Sequence, residues 1–241
     1  MPDRSAGTRF MAAFNDIEDH FRTSLHKDEH VEFGQLMRSF ADRNHLTWAQ
    51  RDALSAFGLL RNAISHSRYY DGMPIAEPVE EVVTQIERLR DQLKNPPNAF
   101  AVLGPRNVCS VEPNEPISTA LEYVRRFDYS QLPIYQEGTY AGLLTTNAIA
   151  RWLANQLAVS GGLAESEAVS VVLAFAEPHE RALHVPRTIT ITDALYQLEH
   201  GGEAEEPVTA LIITQNGKTT EQPLSLVVAN DLPALFEAVK M

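Results

Sequence analysis

The clearest cluster of chemically capable side chains is formed by Arg61, Asn62 and His66. Cleavage of a phosphodiester without a metal ion needs a base and a cation that stabilises the crowded phosphate. Histidine suits the first role because its ordinary pKa lies near neutrality, and arginine suits the second because its planar fork matches phosphate oxygens. On an ideal helix Arg61 and His66 point about 140° apart, whereas Asn62 and His66 share a face. A working site therefore requires two chains that present this helix across a two-fold axis.

These three residues end the third of four helices that the apolar pattern predicts within residues 1–95. The first helix carries one apolar stripe at helical spacing, formed by Phe10, Phe14, Ile17 and Phe21. Further helices are predicted over residues 31–40, over residues 48–64 and after Pro78, with a break at Asp71-Gly72-Met73-Pro74 before the last of them. Short loops between four amphipathic helices indicate a bundle. The bundle ends at Asn95-Pro-Pro-Asn98, because consecutive prolines cannot continue a helix.

The segment Leu60-Arg-Asn-Ala-Ile-Ser-His66, at the end of a helix in such a bundle, resembles the motif of HEPN domains (higher eukaryotes and prokaryotes nucleotide-binding). The resemblance covers about residues 8–95. Many members of that family are metal-independent endoribonucleases that act as dimers, so the resemblance implies RNA cleavage by Arg61, Asn62 and His66. The alternative is a non-catalytic, dimerising bundle. Arg61 is then an ordinary surface arginine, and His66 is favoured by the dipole at a helix C-terminus.

An imperfect internal repeat occupies the C-terminal two-thirds of the chain. In each copy, a capped amphipathic helix precedes two short strands and a polar turn into another helix. The first turn reads Gly142-Leu-Leu-Thr-Thr-Asn-Ala148, and the second reads Ser225-Leu-Val-Val-Ala-Asn-Asp231. Residues 100–103 are predicted to form a preceding strand. Strands at 132–135 and 140–144 are predicted to meet at a Glu137-Gly138 turn, and Leu132–Tyr135 aligns with Ala210–Ile213 of the second copy. The link between the copies is predicted to begin at Gly161-Gly162. Paired copies leave clefts between them, and such clefts bind small molecules.

The repeat resembles a tandem pair of cystathionine β-synthase (CBS) domains, a Bateman module, over roughly residues 100–240. The resemblance rests on the helix starts, the Leu132-Pro-Ile strand and the two polar turns. In that family, the Thr and Asp of the turn hold the ribose of an adenine nucleotide. The resemblance implies an α+β chain with a helical bundle at 1–95 and a CBS pair at 99–241. Copy one spans about 99–158 and copy two about 168–241. The implied nucleotide-binding residues are Pro133, Ile134, Thr145, Asn147 and Asp231.

Both copies depart from the family's turn. Ala148 stands at the Asp position of the first copy, and Val228 stands at the Thr position of the second. Each half-site is therefore incomplete, with Asn147 and Asn230 as partial substitutes. The open alternatives are a pair that binds AMP, ADP or ATP, and a degenerate pair retained for dimerisation.

Charge and composition restrict the function further. The net charge of −12 argues against broad attraction to nucleic acid. The prediction is a cytoplasmic protein without a membrane segment. The N-terminus has no apolar signal, the longest apolar runs are too short to span a bilayer, and Cys109 is the only cysteine. We expect a homodimer that needs no cofactor or metal, takes an adenine nucleotide as ligand and has RNA as a further candidate partner. The favoured function is a nucleotide-responsive regulator that controls a HEPN-like endoribonuclease. The alternative is a non-catalytic CBS-domain binding or scaffold protein.

Overall fold

The computed structural model describes residues 5–66, 68–69, 73–74, 76–159, 166–202 and 206–240. The chain divides into two compact units. Unit 1 comprises residues 1–97 with 239–241, and unit 2 comprises residues 98–238. In the described residues, no helix is both long and apolar enough to cross a lipid bilayer.

Unit 1 contains helices α1 (Ala6–Leu25), α2 (Phe33–Arg43), α3 (Trp48–His66) and α4 (Glu80–Lys94). Short antiparallel strands β1 (Arg68–Tyr69) and β2 (Met73–Pro74) lie between α3 and α4. Of the predicted break at Asp71-Gly72-Met73-Pro74, the first two residues lie outside the described residues and the last two form β2. The four predicted helices are thus present, while the likeness of this unit to HEPN domains stays a prediction.

One hydrophobic core joins the four helices of unit 1. The apolar stripe predicted for α1 is buried, with Phe10, Ile17 and Phe21 fully inaccessible to solvent. It packs against side chains of the other three helices, which include Leu36, Phe40, Leu54, Phe57, Val83, Ile86 and Leu89. Arg9 also joins α1 to α4, because its guanidinium donates to Glu87 at 2.7 Å and 3.1 Å.

Unit 2 begins with α5 (Ala99–Leu103). The first copy then contains α6 (Ile117–Phe127), β3 (Gln131–Gln136), β4 (Thr139–Thr145) and α7 (Thr146–Val159). Strands β3 and β4 pair antiparallel around Glu137-Gly138, whose φ angles of 49° and 77° suit a tight hairpin turn. Both strands and their turn were predicted, and the structure confirms them.

The second copy follows α8 (Val169–Leu173). It contains β5 (Ala182–Pro186), α9 (Ile191–His200), β6 (Ala210–Thr214), β7 (Ser225–Val227) and α10 (Leu232–Ala238), with one 3-10 turn at Ala229–Asp231 before α10. Strand β6 lies between a parallel β5 and an antiparallel β7. The sequence pattern does not predict β5 or α8, and the link predicted at Gly161-Gly162 lies outside the described residues.

Strand pairing fixes which residues of the two copies correspond. Val111 pairs in parallel with Ile134, and Val185 pairs in the same way with Ile213. Gly138 and Gly217 also match, with φ angles of 77° and 79°. The predicted alignment of the two copies is therefore wrong by one residue, because it placed Leu132–Tyr135 opposite Ala210–Ile213. Counting back from Val111 and Val185 places Arg106 opposite Glu180 in the repeat.

The predicted strand at residues 100–103 is wrong, because this segment is the helix α5. The Asn98 side chain accepts a hydrogen bond from the backbone N–H of Ala101 at 2.7 Å. Such an N-cap favours a helix over a strand in a short apolar run, whose periodicity is too brief to separate the two.

Candidate functional site

The polar turn of the first copy ends β4 at a buried threonine. Thr145 is 3% exposed, and its hydroxyl accepts a hydrogen bond from the Ala148 N–H at 3.0 Å, which caps the start of α7. The same hydroxyl donates to Glu180 Oε1 at 2.5 Å. Thr145 therefore uses its only donor on a carboxylate from the second copy.

Three groups converge on that carboxylate, and we call Thr145, Arg151 and Glu180 the Glu180 cluster. Besides the Thr145 hydroxyl, Glu180 accepts from the guanidinium of Arg151 and from the Glu177 N–H at 2.7 Å. The Glu180 side chain is 2% exposed. Burial alone raises the pKa of Glu180, but its hydrogen bonds and the charge of Arg151 outweigh burial and lower the pKa below the ordinary value. The carboxylate is thus a buried, fully paired anion at neutral pH.

The corresponding turn of the second copy is built around Asp231. Its Oδ2 accepts from the Val228 N–H at 2.9 Å, so that the carboxylate caps the turn before α10. Val228 offers no hydroxyl to complete the capping box, whereas the first copy has the capping hydroxyl of Thr145 and no carboxylate at Ala148. Each copy therefore retains one half of the same helix-capping device.

Arg106 neutralises the Asp231 carboxylate from the segment that precedes the first copy. Its guanidinium donates to Asp231 Oδ1 at 2.7 Å and to Oδ2 at 3.0 Å, and also to the Leu226 carbonyl at 3.2 Å. The Asp231 side chain is 9% exposed and that of Arg106 is 40% exposed. This bidentate pair thus has one buried partner and one partner open to solvent.

A cleft of about 350 Å³ opens beside this pair, and we call it the Arg106 cleft. Three segments line it: residues 106–109, residues 128–131, and Leu226, Val228 and Asn230 of the second copy. Tyr129 supplies an aromatic wall, and its hydroxyl donates to the Asn107 carbonyl at 3.3 Å. The cleft combines the cation of Arg106 and the ring of Tyr129 with several amide and hydroxyl groups and the carboxylate of Asp128. It suits a small, planar ligand whose anionic group meets Arg106 and whose hydroxyl groups meet Asp128.

The five residues expected to bind a nucleotide do not lie together. Asp231 lies at the Arg106 cleft, whereas Thr145 lies in the Glu180 cluster and Asn147 is exposed two residues further along the chain. Pro133 and Ile134 are buried in β3 and form part of the sheet. Arg106 and Glu180 do not stand out in the sequence. They occupy equivalent positions in the two copies, so an alignment of the copies in the correct register would have identified them. Their opposite charges make this equivalence hard to recognise.

A second groove, of about 710 Å³, lies in unit 1 and contains Arg61 and Asn62. Arg61 Nη1 donates to Asn62 Oδ1 at 3.2 Å, and the guanidinium carbon lies 5.8 Å from the centroid of the Phe14 ring. The remaining lining includes Glu18, Glu29 and Glu32 together with Arg22 and Arg38. The groove is therefore mixed in charge rather than a basic surface for RNA.

The helix α3 is continuous to His66, so the separation of about 140° between Arg61 and His66 applies to their backbone positions. The side chain of His66 lies outside the described residues. Within one chain, the described contacts bring Arg61 to Asn62, and the contribution of His66 stays a prediction.

Comparison with known proteins gives one family match. The family model of the CBS domain matches residues 105–155. No curated protein matches the sequence. Similar solved structures include a CBS-domain-containing protein from Agrobacterium tumefaciens, at 16% identity over 58% of this chain and 88% of that one, with a TM-score of 0.39.

Two further similar structures contain nucleotides. CBSX2 in complex with AMP is 15% identical over 60% of this chain and 99% of that one, with a TM-score of 0.41. The CBS domain of a bacterial CNNM/CorC family Mg²⁺ transporter in complex with ATP is 16% identical over 65% and 96%, with a TM-score of 0.43. TM-scores this low carry no argument about ligand or activity, so the identification rests on the matched segment. Residues 105–155, which run from the segment before the first copy into α7, form a CBS domain.

Proposed function

We propose that this protein is a regulatory protein whose CBS pair binds an adenine nucleotide in the Arg106 cleft. The observation that carries the proposal is the Arg106 cleft itself, in which a solvent-accessible guanidinium and an aromatic ring face a cavity of about 350 Å³ between two copies of the repeat. That volume falls at the lower end of the range for small-molecule sites. The CBS domain of residues 105–155 supplies most of the lining.

The chemistry of the lining assigns a role to each group. Arg106 is the phosphate ligand, because a guanidinium stays charged and bonds phosphate oxygens in a bidentate manner. Tyr129 stacks against the base. Asp231 lies behind the guanidinium and already accepts three hydrogen bonds, so it chiefly orients Arg106, with about one acceptor position left for a ribose hydroxyl. Asn230, at the rim, offers both a donor and an acceptor to the ribose.

The remaining expectations belong to the same proposal in a finer form. Thr145 and Asn147 belong to the turn of the first copy, which is equivalent to the turn of Asp231 in the second copy. Pro133 and Ile134 lie in β3 and support this turn through the paired strand β4. We take unit 1 to be the output domain, a HEPN-like dimer in the cytoplasm that cleaves RNA through Arg61, Asn62 and His66. The alternative, a dimeric binding or scaffold protein without ribonuclease activity, is favoured by the three glutamates that line the groove around Arg61.

The test is a comparison of AMP, ADP and ATP by titration calorimetry and thermal unfolding of the full chain. A ligand that binds the folded state raises the melting temperature by mass action. Arg106→Ala should weaken binding at least about tenfold, the loss of roughly 1.4 kcal/mol expected for a charged hydrogen bond. Arg125→Ala is the matched control, because Arg125 forms an exposed pair with Glu122 away from the cleft lining. Binding that is absent, or equal in the wild type and Arg106→Ala, would refute the proposal.

A further inference from the structure

The two copies place opposite charges at one equivalent position. Arg106 and Glu180 each precede the first strand segment of their own copy, and each reaches the polar turn of the other copy. Arg106 meets the carboxylate of Asp231, and Glu180 meets the hydroxyl of Thr145. The pair of copies is thus pseudo-symmetric in backbone and opposite in charge.

In the Glu180 cluster, the polar groups suited to an anionic ligand are already engaged. The Thr145 hydroxyl, the Glu177 N–H and the Arg151 guanidinium all point to the Glu180 carboxylate. A hydroxyl, a backbone N–H and an arginine are also the donors that bind phosphate oxygens. Thr145 and Glu180 are both almost completely buried. A phosphate can reach these donors only by displacing an ionised carboxylate that belongs to the chain itself.

The Arg106 cleft has the opposite electrostatic character. There the residue from the preceding segment is a cation, and its carboxylate partner is held behind it against the Val228 N–H. Because Arg106 is 40% exposed, its guanidinium can accept a further anion from solvent. The two turns therefore differ in whether the built-in charge attracts or repels a nucleotide phosphate.

We infer that Glu180 is an internal ligand of the first copy's turn, which takes the place of a nucleotide phosphate and limits the CBS pair to one nucleotide, bound at Arg106. The identity of that nucleotide rests on the function proposed above, whereas the internal-ligand role of Glu180 does not. Glu180 is thereby the residue that determines the stoichiometry of binding.

The first experiment counts ATP molecules bound per full-length chain by equilibrium dialysis. The wild type should bind one, Arg106→Ala should bind about tenfold more weakly or not at all, and Glu180→Ala should gain a second, weaker site. Glu180→Gln, which keeps the size of the side chain, should stay at one. Two ATP molecules on the wild type, undiminished binding to Arg106→Ala, or a single site in folded Glu180→Ala would each overturn the inference.

The second experiment needs no nucleotide. Sulfate should raise the melting temperature of Glu180→Ala, because the sulfate ion replaces the missing carboxylate between Thr145 and Arg151. At equal ionic strength this rise should be at least about twice the rise in the wild type. Glu221→Ala is the matched control. Glu221 also accepts from a threonine hydroxyl, that of Thr214 at 2.9 Å, and from the Asn216 N–H at 2.6 Å, and it receives the side-chain amide of Asn216 at 2.7 Å where Glu180 receives Arg151.

The two experiments separate the inference from the proposed function. If no variant binds ATP while sulfate selectively stabilises Glu180→Ala, the nucleotide proposal fails and the internal anion stands. If sulfate stabilises Glu180→Ala, Glu221→Ala and the wild type equally, Glu180 does not occupy an anion site, whatever the ATP result. Should Glu180→Ala fail to fold even in sulfate, the count on the wild type and Arg106→Ala still decides between one site and two.

Discussion

Asp231→Ala should destabilise the protein far more than the loss of a surface charge. The mutation removes a carboxylate that accepts hydrogen bonds from Arg106 at 2.7 and 3.0 Å and from the Val228 N–H at 2.9 Å. Leaving that N–H without a partner costs about 1–3 kcal/mol. The ion pair adds at most about 1 kcal/mol, because Arg106 is 40% exposed and regains water when released. We expect a total of roughly 1–4 kcal/mol.

A double-mutant cycle with Arg106→Ala divides this total. Asp231→Asn keeps an acceptor for the Val228 N–H and should lose only about 1 kcal/mol, the ion-pair part. The coupling between Asp231→Ala and Arg106→Ala should also be near 1 kcal/mol. The assay is urea unfolding of the full chain, followed by far-ultraviolet circular dichroism.

Glu122→Ala is the control for this cycle. Glu122 pairs with Arg125, and both side chains are more than half exposed, so its loss should cost less than about 0.5 kcal/mol. If Asp231→Ala is no more destabilising than Glu122→Ala, the carboxylate does not cap the turn before α10. If the cycle shows no coupling, the bidentate pair does not form in solution.

Four further predictions concern the remaining features. Light scattering at micromolar concentration should report two chain masses, and a monomer would exclude a composite site across a two-fold axis. The full chain should cleave single-stranded RNA in EDTA and leave 2′,3′-cyclic phosphate ends, while His66→Ala and Arg61→Ala should each abolish cleavage without changing the mass. Glu180 has a lowered pKa, so its stabilising contribution is complete above the ordinary carboxyl pKa and is lost as the pH falls through the folded-state pKa. The difference in melting temperature between the wild type and Glu180→Ala should therefore shrink from pH 7 toward pH 3, and a constant difference would contradict an ionised Glu180. Val228→Thr should complete the capping box of the second copy and stabilise the protein by about 0.5–1 kcal/mol in urea unfolding. Ala148→Asp should instead destabilise the protein, because a second carboxylate would enter the Glu180 cluster. If both mutations change the free energy of unfolding by the same amount, both expectations are wrong.

The sequence predicted those elements whose signal is local. The stripe of α1 was predictable because four apolar residues at helical spacing must share one face, and the structure buries them. The hairpin of β3 and β4 was predictable because Glu137-Gly138 separates two apolar runs. The helix α5 was not, because the apolar run at 100–103 fits either structure and only the side chain of Asn98 decides between them.

The contacts that define the candidate site are non-local, and the sequence gives little indication of them. Arg106 meets Asp231 across 125 positions of the chain, and Glu180 meets Thr145 across 35. A charged residue before a strand ordinarily indicates nothing more than a solvated surface. Only the strand register, which aligns Val111 with Val185, shows that these two charges occupy the same place in the repeat.

The departures of the two turns from the family pattern are explained as coupled pairs. The first copy has no carboxylate at Ala148 but has the hydroxyl of Thr145, so its turn can receive an anion, and Glu180 supplies one. The second copy has the carboxylate of Asp231, so its turn requires a cation, and Arg106 supplies it. The half of the capping box that each turn retains thus sets the sign of the charge that the opposite copy must provide. The residue at which a turn departs from the family pattern therefore indicates whether the opposite copy pairs that turn with a carboxylate or with an arginine.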